Sequence, residues 1–308
     1  MDDQLYDVII IGGGPAGLTA GLYTSRAKLN TLLVEQMLVG GQVMTTTKVE
    51  NYPGFPGGID GPDLVARFHE HCQEFGLQIV NGEAQQLVDA GDHKVVTIDG
   101  KQQRARAVIV TTGAEPRKLG IPGEKELTGR GVSYCATCDG AFFREVPVAV
   151  VGGGDTAAEE ALFLTRFASK VYLIHRRDQL RATKTLQERV LANDKIEVVW
   201  NNVPEEVLAN QRGVNELRLN NKLTGEKRTL AVEGVFFAIG VIPKARFLAE
   251  VLELNGEGYI VTDTECRTSM PGVFAAGDVR SKILKQIATA VGDGAVAAIA
   301  TEKYLDES

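Results

Sequence analysis

Cys135-Ala136-Thr137-Cys138-Asp139 places two thiols at C-x-x-C spacing with an acid directly after them. In such motifs the thiolate pKa is commonly lowered to roughly 3.5–7.5, which supplies both a nucleophile and a good leaving group near neutrality. The motif lies between two glycine-rich loops, Gly12–Gly17 and Gly152–Ala157, each of a kind that holds a dinucleotide. That order suggests an electron path in which one nucleotide donates, another relays and the thiol pair receives. A C-x-x-C pair also serves zinc, but a zinc site needs two further ligands at suitable spacing. Cys72 and Cys266 stand alone and offer no such pair, so no metal is expected, and both read as small buried residues. His69 and His71 lie two apart on a helix, hence on different faces, and read as surface residues.

The first loop has the context that gives a Gly-x-Gly-x-x-Gly its meaning. An apolar run, Tyr6 to Ile11, reads as a buried parallel strand, and Gly12-Gly13-Gly14-Pro15-Ala16-Gly17 then opens a helix to about Lys28. A second strand ends at Glu35, 23 residues after Gly12. Gly12 permits the turn, Gly14 lets a pyrophosphate approach, Gly17 allows close packing of helix on strand, and Glu35 can bind ribose hydroxyls. Because Glu35 would repel a 2′-phosphate, this site favours FAD or NAD over NADP.

Residues 40–61 read as a long loop, followed by an amphipathic helix from Asp63 to Phe75. Residues 82–110 alternate as strands around an Asp99-Gly100 turn, and Glu115-Pro116 breaks the pattern. The second loop follows a strand, Val146 to Val151, and reads Gly152-Gly153-Gly154-Asp155-Thr156-Ala157 before a helix to about Phe167. The next strand ends in His175-Arg176-Arg177-Asp178, with Arg181 shortly after, where the first unit carries its acid. Guanidinium forks match phosphate oxygens, so this cluster reads a 2′-phosphate and the second nucleotide is expected to be NADPH. Strands are expected again over 196–239, a buried strand from Gly272 presenting Asp278, and a last helix from about Lys285 to Tyr304.

A chain of 308 residues exceeds the usual single domain, and 44% hydrophobic with 24% charged residues is ordinary for a globular enzyme. A net charge of −7 argues against a nucleic-acid-binding surface. The acidic start runs directly into an apolar strand, unlike a signal peptide, and no apolar run approaches the roughly 20 residues of a membrane helix. A cytoplasmic protein without membrane attachment is the expectation.

With these pieces assembled, the chain resembles the low-molecular-weight thioredoxin reductases over essentially its whole length. The resemblance is carried by Gly12–Gly17, Gly40-Gly41-Gln42, Cys135–Gly140, Gly152–Ala157, His175–Asp178 and Ala275-Ala276-Gly277-Asp278, in that order. It implies an α/β fold with two Rossmann-like dinucleotide-binding domains. An NADPH domain carrying the dithiol, 117–243, is inserted into a discontinuous FAD domain, 1–116 and 244–308. It implies FAD contacts from Gly12, Gly14, Pro15, Ala16, Gly17, Glu35, Gly41, Gln42, Asn51, Gly113, Asp278 and Gln286. NADPH contacts are implied from Gly152, Gly154, Asp155, Thr156, His175, Arg176, Arg177 and Arg181. In the implied reaction electrons pass from NADPH through FAD to a Cys135–Cys138 disulfide and on to thioredoxin, with Cys138 toward the flavin and Cys135 attacking the partner. Asp139 is the candidate general acid for the departing thiolate. A homodimer is the family's expectation. A reductase of another thioredoxin-like or peroxiredoxin partner, or a slow redox sensor, are the competing functions.

Four positions depart from the family's pattern: Lys285 where Arg is usual, Ala141 before Phe142-Phe143, Thr111 in place of Ala, and Gly240-Val241-Ile242-Pro243-Lys244. Nicotinamide site and dithiol share one domain, yet both must reach one flavin. That predicts a rotation about linkers near 116–120 and 240–244, as the family does.

Overall fold

Val8, Ile9, Ile10 and Ile11 are all within 4% of fully buried although they alternate between two sides of a sheet. Such a run is stable only where both faces are covered, and β1 (Leu5–Ile11) is the middle of a parallel set. In the computed structural model, which describes residues 4–46 and 48–307, the chain forms two compact units. One is Met1–Glu115 with Ile242–Ser308 and the other is Pro116–Val241. The expected boundaries lay one to two residues further on, at 116/117 and 243/244. The chain crosses between the units in two short strands, β7 (Ala114–Pro116) and β16 (Val241–Pro243).

In the first unit the elements are β1, α1 (Pro15–Arg26), β2 (Thr31–Glu35), α2 (Gly61–Glu74), β3 (Gln78–Asn81), β4 (Ala84–Asp89), β5 (Lys94–Ile98) and β6 (Lys101–Val110). After the second crossing come β17 (Val273–Ala275) and α6 (Ile287–Glu307). The sheet runs β3-β2-β1-β6-β5-β4, and β17 lies against the C-terminal half of β6. Val8 and Ile10 face a core shared with Leu18 of α1, Leu64 of α2 and Ala297 of α6. Ile9 and Ile11 face Leu87, Val96, Leu248 and Val273. Burying each such side chain contributes about 1.5–3 kcal/mol, so both faces hold the sheet.

The second unit has a parallel sheet in the order β11 (Ile196–Val199), β10 (Lys170–Ile174), β9 (Pro147–Gly152), β15 (Gly234–Ala238), β8 (Val132–Ser133). Helix α4 (Asp155–Leu164) covers one face through Ala157, Ala158 and Ala161, which meet Val148 and Val150. The other face, with Ala149, Val151 and Phe237, lies against Leu217 and Leu219 of an antiparallel layer. That layer is β12 (Asn202–Asn210), β13 (Gly213–Asn221) and β14 (Lys227–Ala231). The two short helices are α3 (Ala136–Asp139) and α5 (Lys184–Leu191).

Some expectations shift. α2 begins at Gly61 rather than Asp63, because Pro62 in the first turn has no N–H to lose and its ring fixes a helical φ. The strands expected from Gly82 are preceded by β3, which pairs in parallel with β2. The last helix starts at Ile287, just past Gln286, and α4 ends at Leu164. Asp278 sits on a 3-10 turn, Gly277–Val279, beyond the end of β17.

The first nucleotide loop rests on a steric constraint between helix and strand. A Cβ on Gly17 would lie 1.9 Å from the Gly12 carbonyl oxygen, whereas one on Gly14 would meet nothing within 4 Å. Gly17→Ala therefore forces the α1 backbone off the loop, with an expected loss of about 1–3 kcal/mol. Thermal unfolding should show a clear fall in Tm for Gly17→Ala and none for Gly14→Ala; equal Tm values for both would show that the close contact has no role.

Candidate active site

Around the thiol pair, the chain leaves β8 at Ser133 and turns into α3, with Cys135 as the extended residue before the helix. Ala136 is fully buried in the core under α4, and Phe143 stacks edge-on against Phe236 with ring centroids 5.1 Å apart. These two apolar anchors hold the motif between them, while Phe142 stays 47% exposed. Cys135 and Cys138 are joined by a disulfide, their Cα atoms 5.3 Å apart. The Cys138 and Asp139 N–H groups both donate to the Cys135 carbonyl, at 3.2 and 3.1 Å.

Asp139 is held by Ser133, whose hydroxyl donates to Oδ2 at 2.6 Å. Ser133 Oγ in turn accepts from the Cys135 N–H at 3.1 Å. Burial pushes the Asp139 carboxyl above its usual range, with the Ser133 hydrogen bond opposing. A second carboxyl, Glu160 of α4, accepts the Ala136 N–H at 3.3 Å through Oε1. Sequence reading missed both Ser133 and Glu160. Glu160 meets the motif only through the packing of α4, and Ser133, two residues before Cys135, carries no motif of its own although its position next to the thiol pair was the available signal.

The second loop leaves β9 and opens α4 at Gly154, which offers no side-chain cap. A Cβ on Gly154 would meet nothing within 4 Å, while one on Gly152 would lie 2.4 Å from the Ala238 carbonyl oxygen. The segment from His175 folds back onto this loop. His175 Nδ1 lies 2.9 Å from the Gly152 carbonyl, and the Arg181 N–H donates to the Gly153 carbonyl at 2.6 Å. The Thr183 N–H donates to Asp155 Oδ1 at 2.6 Å. Burial holds the His175 imidazole below its usual pKa, so near neutrality it is uncharged and its Nδ1–H donates to Gly152. Arg176, Arg177 and Arg181 are exposed, and among the described residues no carboxylate pairs with them. Three free guanidinium groups beside an open glycine loop can receive a phosphate.

The first loop, at the C-terminal end of β1, has the same form. The Gly13 N–H donates to Glu35 Oε2 at 2.6 Å and the Met37 N–H to Oε1 at 2.9 Å, so the acid is fixed at the end of β2. Gly40 N–H donates to the Gly13 carbonyl at 2.7 Å, which sets Gly41 against Gly14. Gln42 Nε2 donates to the Ala114 carbonyl, one residue past Gly113. Asn51 Nδ2 donates to Gln286 Oε1 at 2.9 Å, bringing together two residues 235 apart in sequence. The turn carrying Asp278 approaches so closely that a Cβ on Gly277 would lie 2.9 Å from Ala16 Cβ. Pro15, Ala16 and Gly17 form the first turn of α1.

Thr111 explains its departure from the family's pattern. Its hydroxyl lies 2.7 Å from the Gly12 carbonyl and 3.0 Å from that of Ile11, and so ties β6 to the loop. Lys285 places its ammonium 4.2 Å from the Tyr259 ring centroid and donates to the Lys282 carbonyl. Cys72 and Cys266 are buried, at 1% and 0% exposure.

The first unit fits a dinucleotide on two counts. Space over Gly14 is open where a Cβ would stand, and Asp278 Oδ1 is buried without a hydrogen-bond partner, with Lys282 Nζ at 3.9 Å. A ribitol or ribose hydroxyl would satisfy that oxygen. The second unit fits another through Gly154 and the arginines.

The "Pyridine nucleotide-disulphide oxidoreductase" family pattern matches residues 6–294. Curated relatives named thioredoxin reductase are similar over nearly the whole chain. That of Listeria innocua is 49% identical over 99% of this chain and 96% of its own, and that of Bacillus subtilis 48% over the same shares. Among solved structures, thioredoxin reductase from Streptococcus pyogenes is 46% identical, covers 99% of both chains and superposes with a TM-score of 0.95. Thioredoxin reductase from Lactococcus lactis, in its FR conformation, is 44% identical over 98% of this chain and 100% of its own, with a TM-score of 0.68. By these matches and by the site they cover, the chain belongs to the pyridine nucleotide-disulphide oxidoreductases and, within them, to the low-molecular-weight thioredoxin reductases.

Proposed function

We propose that this protein passes electrons from NADPH through FAD and the Cys135–Cys138 disulfide to thioredoxin. The observation that carries the reading is that disulfide, followed at once by a half-buried carboxyl group and held on the same unit as an arginine-flanked glycine loop. Gly12, Gly14, Pro15, Ala16, Gly17, Glu35, Gly41, Gln42, Asn51, Gly113, Asp278 and Gln286 hold FAD. Gly152, Gly154, Asp155, Thr156, His175, Arg176, Arg177 and Arg181 hold NADPH. The protein acts as a cytoplasmic homodimer, with thioredoxin as its macromolecular partner and no engagement of nucleic acid or membrane.

Bound NADPH and FAD supply hydride transfer and two-electron delivery, and the remaining chemistry falls to this chain. With the disulfide opened, Cys135 attacks the partner's disulfide as thiolate, and Cys138 then attacks Cys135 to release the partner. Asp139, whose carboxyl burial pushes upward, gives a proton to the departing sulfur, and Ser133 keeps that carboxyl beside the Cys135 backbone. Because the arginine-flanked loop and the dithiol share one unit, they take turns at the flavin by movement of that unit.

A coupled assay with NADPH and thioredoxin tests the function. The wild type should reduce thioredoxin, and Cys135→Ser should abolish that activity while NADPH still bleaches the flavin. No NADPH-driven reduction of any disulfide partner by the wild type would leave only the redox-sensor alternative. The nucleotide preference is separable: Arg176→Ala with Arg181→Ala should raise KM for NADPH far more than for NADH, and an equal effect on both contradicts 2′-phosphate recognition.

A further inference from the structure

Asp278 lies on the 3-10 turn Gly277–Val279, and its Oδ1 is buried with no hydrogen-bond partner among the described residues. The Lys282 ammonium stands 3.9 Å from that oxygen, beyond hydrogen-bond length but within reach of a small side-chain movement. A charge-assisted hydrogen bond is stronger than a charge held just outside contact, so an unpaired carboxylate oxygen should draw the lysine in. A competing acid keeps it away.

That acid is Asp293, in the second turn of α6. Its Oδ2 accepts from Lys282 Nζ at 2.8 Å, and Thr289 Oγ1, in the first turn, accepts from the same ammonium at 3.2 Å. Asp293 also fixes the turn that carries Asp278. Its Oδ2 accepts the Gly277 N–H at 3.1 Å, and its Oδ1 accepts from Arg280 Nη1 at 3.1 Å. Arg280 donates in addition to the Asp263 carbonyl and to Cys266 Sγ, each at 3.0 Å. The side chains of Arg280 and Lys282 are 13% exposed and that of Asp293 17%, so water offers these charges little alternative to one another. Lys285, the other ammonium of this loop, is occupied too: it lies 4.2 Å from the Tyr259 ring centroid and donates to the Lys282 carbonyl. Both cations beside Asp278 are thus engaged elsewhere.

We propose that Asp293 is a positioning residue for FAD, which anchors the Gly277-Asp278 turn and withholds Lys282 from Asp278, leaving that carboxylate free for a ribitol or ribose hydroxyl. Without the Asp293 charge, Lys282 closes on Asp278 Oδ1, and an incoming hydroxyl must displace an ammonium instead of meeting an unpaired oxygen. Asp293 acts on FAD only through Asp278, and so its role rests on Asp278 holding FAD as proposed above.

FAD release from the full-length holoprotein, measured as free flavin in the filtrate at successive dilutions, tests this without turnover. Asp293→Asn keeps an oxygen for the Gly277 N–H but no charge for Lys282. It should weaken FAD binding about tenfold, the scale of one charge-assisted hydrogen bond. Lys282→Met alone should leave the dissociation constant within about twofold of the wild type, and adding it to Asp293→Asn should recover most of the loss, since no ammonium remains to capture Asp278. A double variant as weak as Asp293→Asn would show a merely structural role and overturn the proposal. So would a loss of about tenfold in Lys282→Met alone, because the lysine would then serve the cofactor instead of competing for its acceptor. That second outcome is readable even if Asp293→Asn does not fold. Asp278→Ala decides the reading beneath: unchanged FAD binding there removes Asp278 from the site, whereas weakened binding without rescue by Lys282→Met counts against Asp293 alone.

Discussion

The close approach of backbone at each nucleotide loop is the constraint on which the rest depends. Where α1 follows β1, the backbone at Gly17 leaves no room for a Cβ beside the Gly12 carbonyl, and Thr111 ties that carbonyl to β6. Where α4 follows β9, a Cβ on Gly152 would lie 2.4 Å from the Ala238 carbonyl oxygen of β15 and 2.6 Å from the Ala157 Cβ of α4. The consequence is the open space over Gly14 and Gly154, since each helix begins with its first-turn N–H groups uncovered by side chains. Parallel strands then deliver the discriminating residues to the same edge: Glu35 from β2, and His175 through Arg181 following β10.

The dithiol uses a different resource, the cost of burying charge. Asp139 and Glu160 both carry pKa values raised by desolvation, so the folded protein binds protons there that the unfolded chain releases. Their contribution to stability is full below the ordinary carboxylate range and declines as pH rises, for Glu160 from its reference value of 4.5 through about 7. Stability is surrendered near neutrality at the place where a proton donor is required. The anchors that make this tolerable are apolar: Ala136 in the α4 core and Phe143 against Phe236.

What was legible in the sequence follows from which signals are local. Glycine spacing, the acid at Glu35, the basic cluster after β10 and the C-x-x-C pair all lie within short windows and mark their own positions. The long apolar runs announced β1 and β9 for the same reason. Strand β3 was hidden because it is short and largely exposed, with little hydrophobic pattern to read. Helix α5 buries only Val190 fully and went unremarked. Glu160 and the role of Thr111 were illegible because each acts across a packing contact, Thr111 on Gly12 across 99 residues and Glu160 on Ala136 across 24, whereas Ser133 is local to the thiol pair but is an ordinary serine that belongs to no motif.

The Cys135–Cys138 disulfide draws its electrons from the flavin. Anaerobic titration of the purified protein with NADPH, followed through the visible flavin spectrum, tests this most directly. The wild type should take up more NADPH per flavin than Cys138→Ser before bleaching is complete, by the two electrons that the disulfide stores. Equal uptake by the two proteins would mean that the thiol pair does not receive electrons from the flavin.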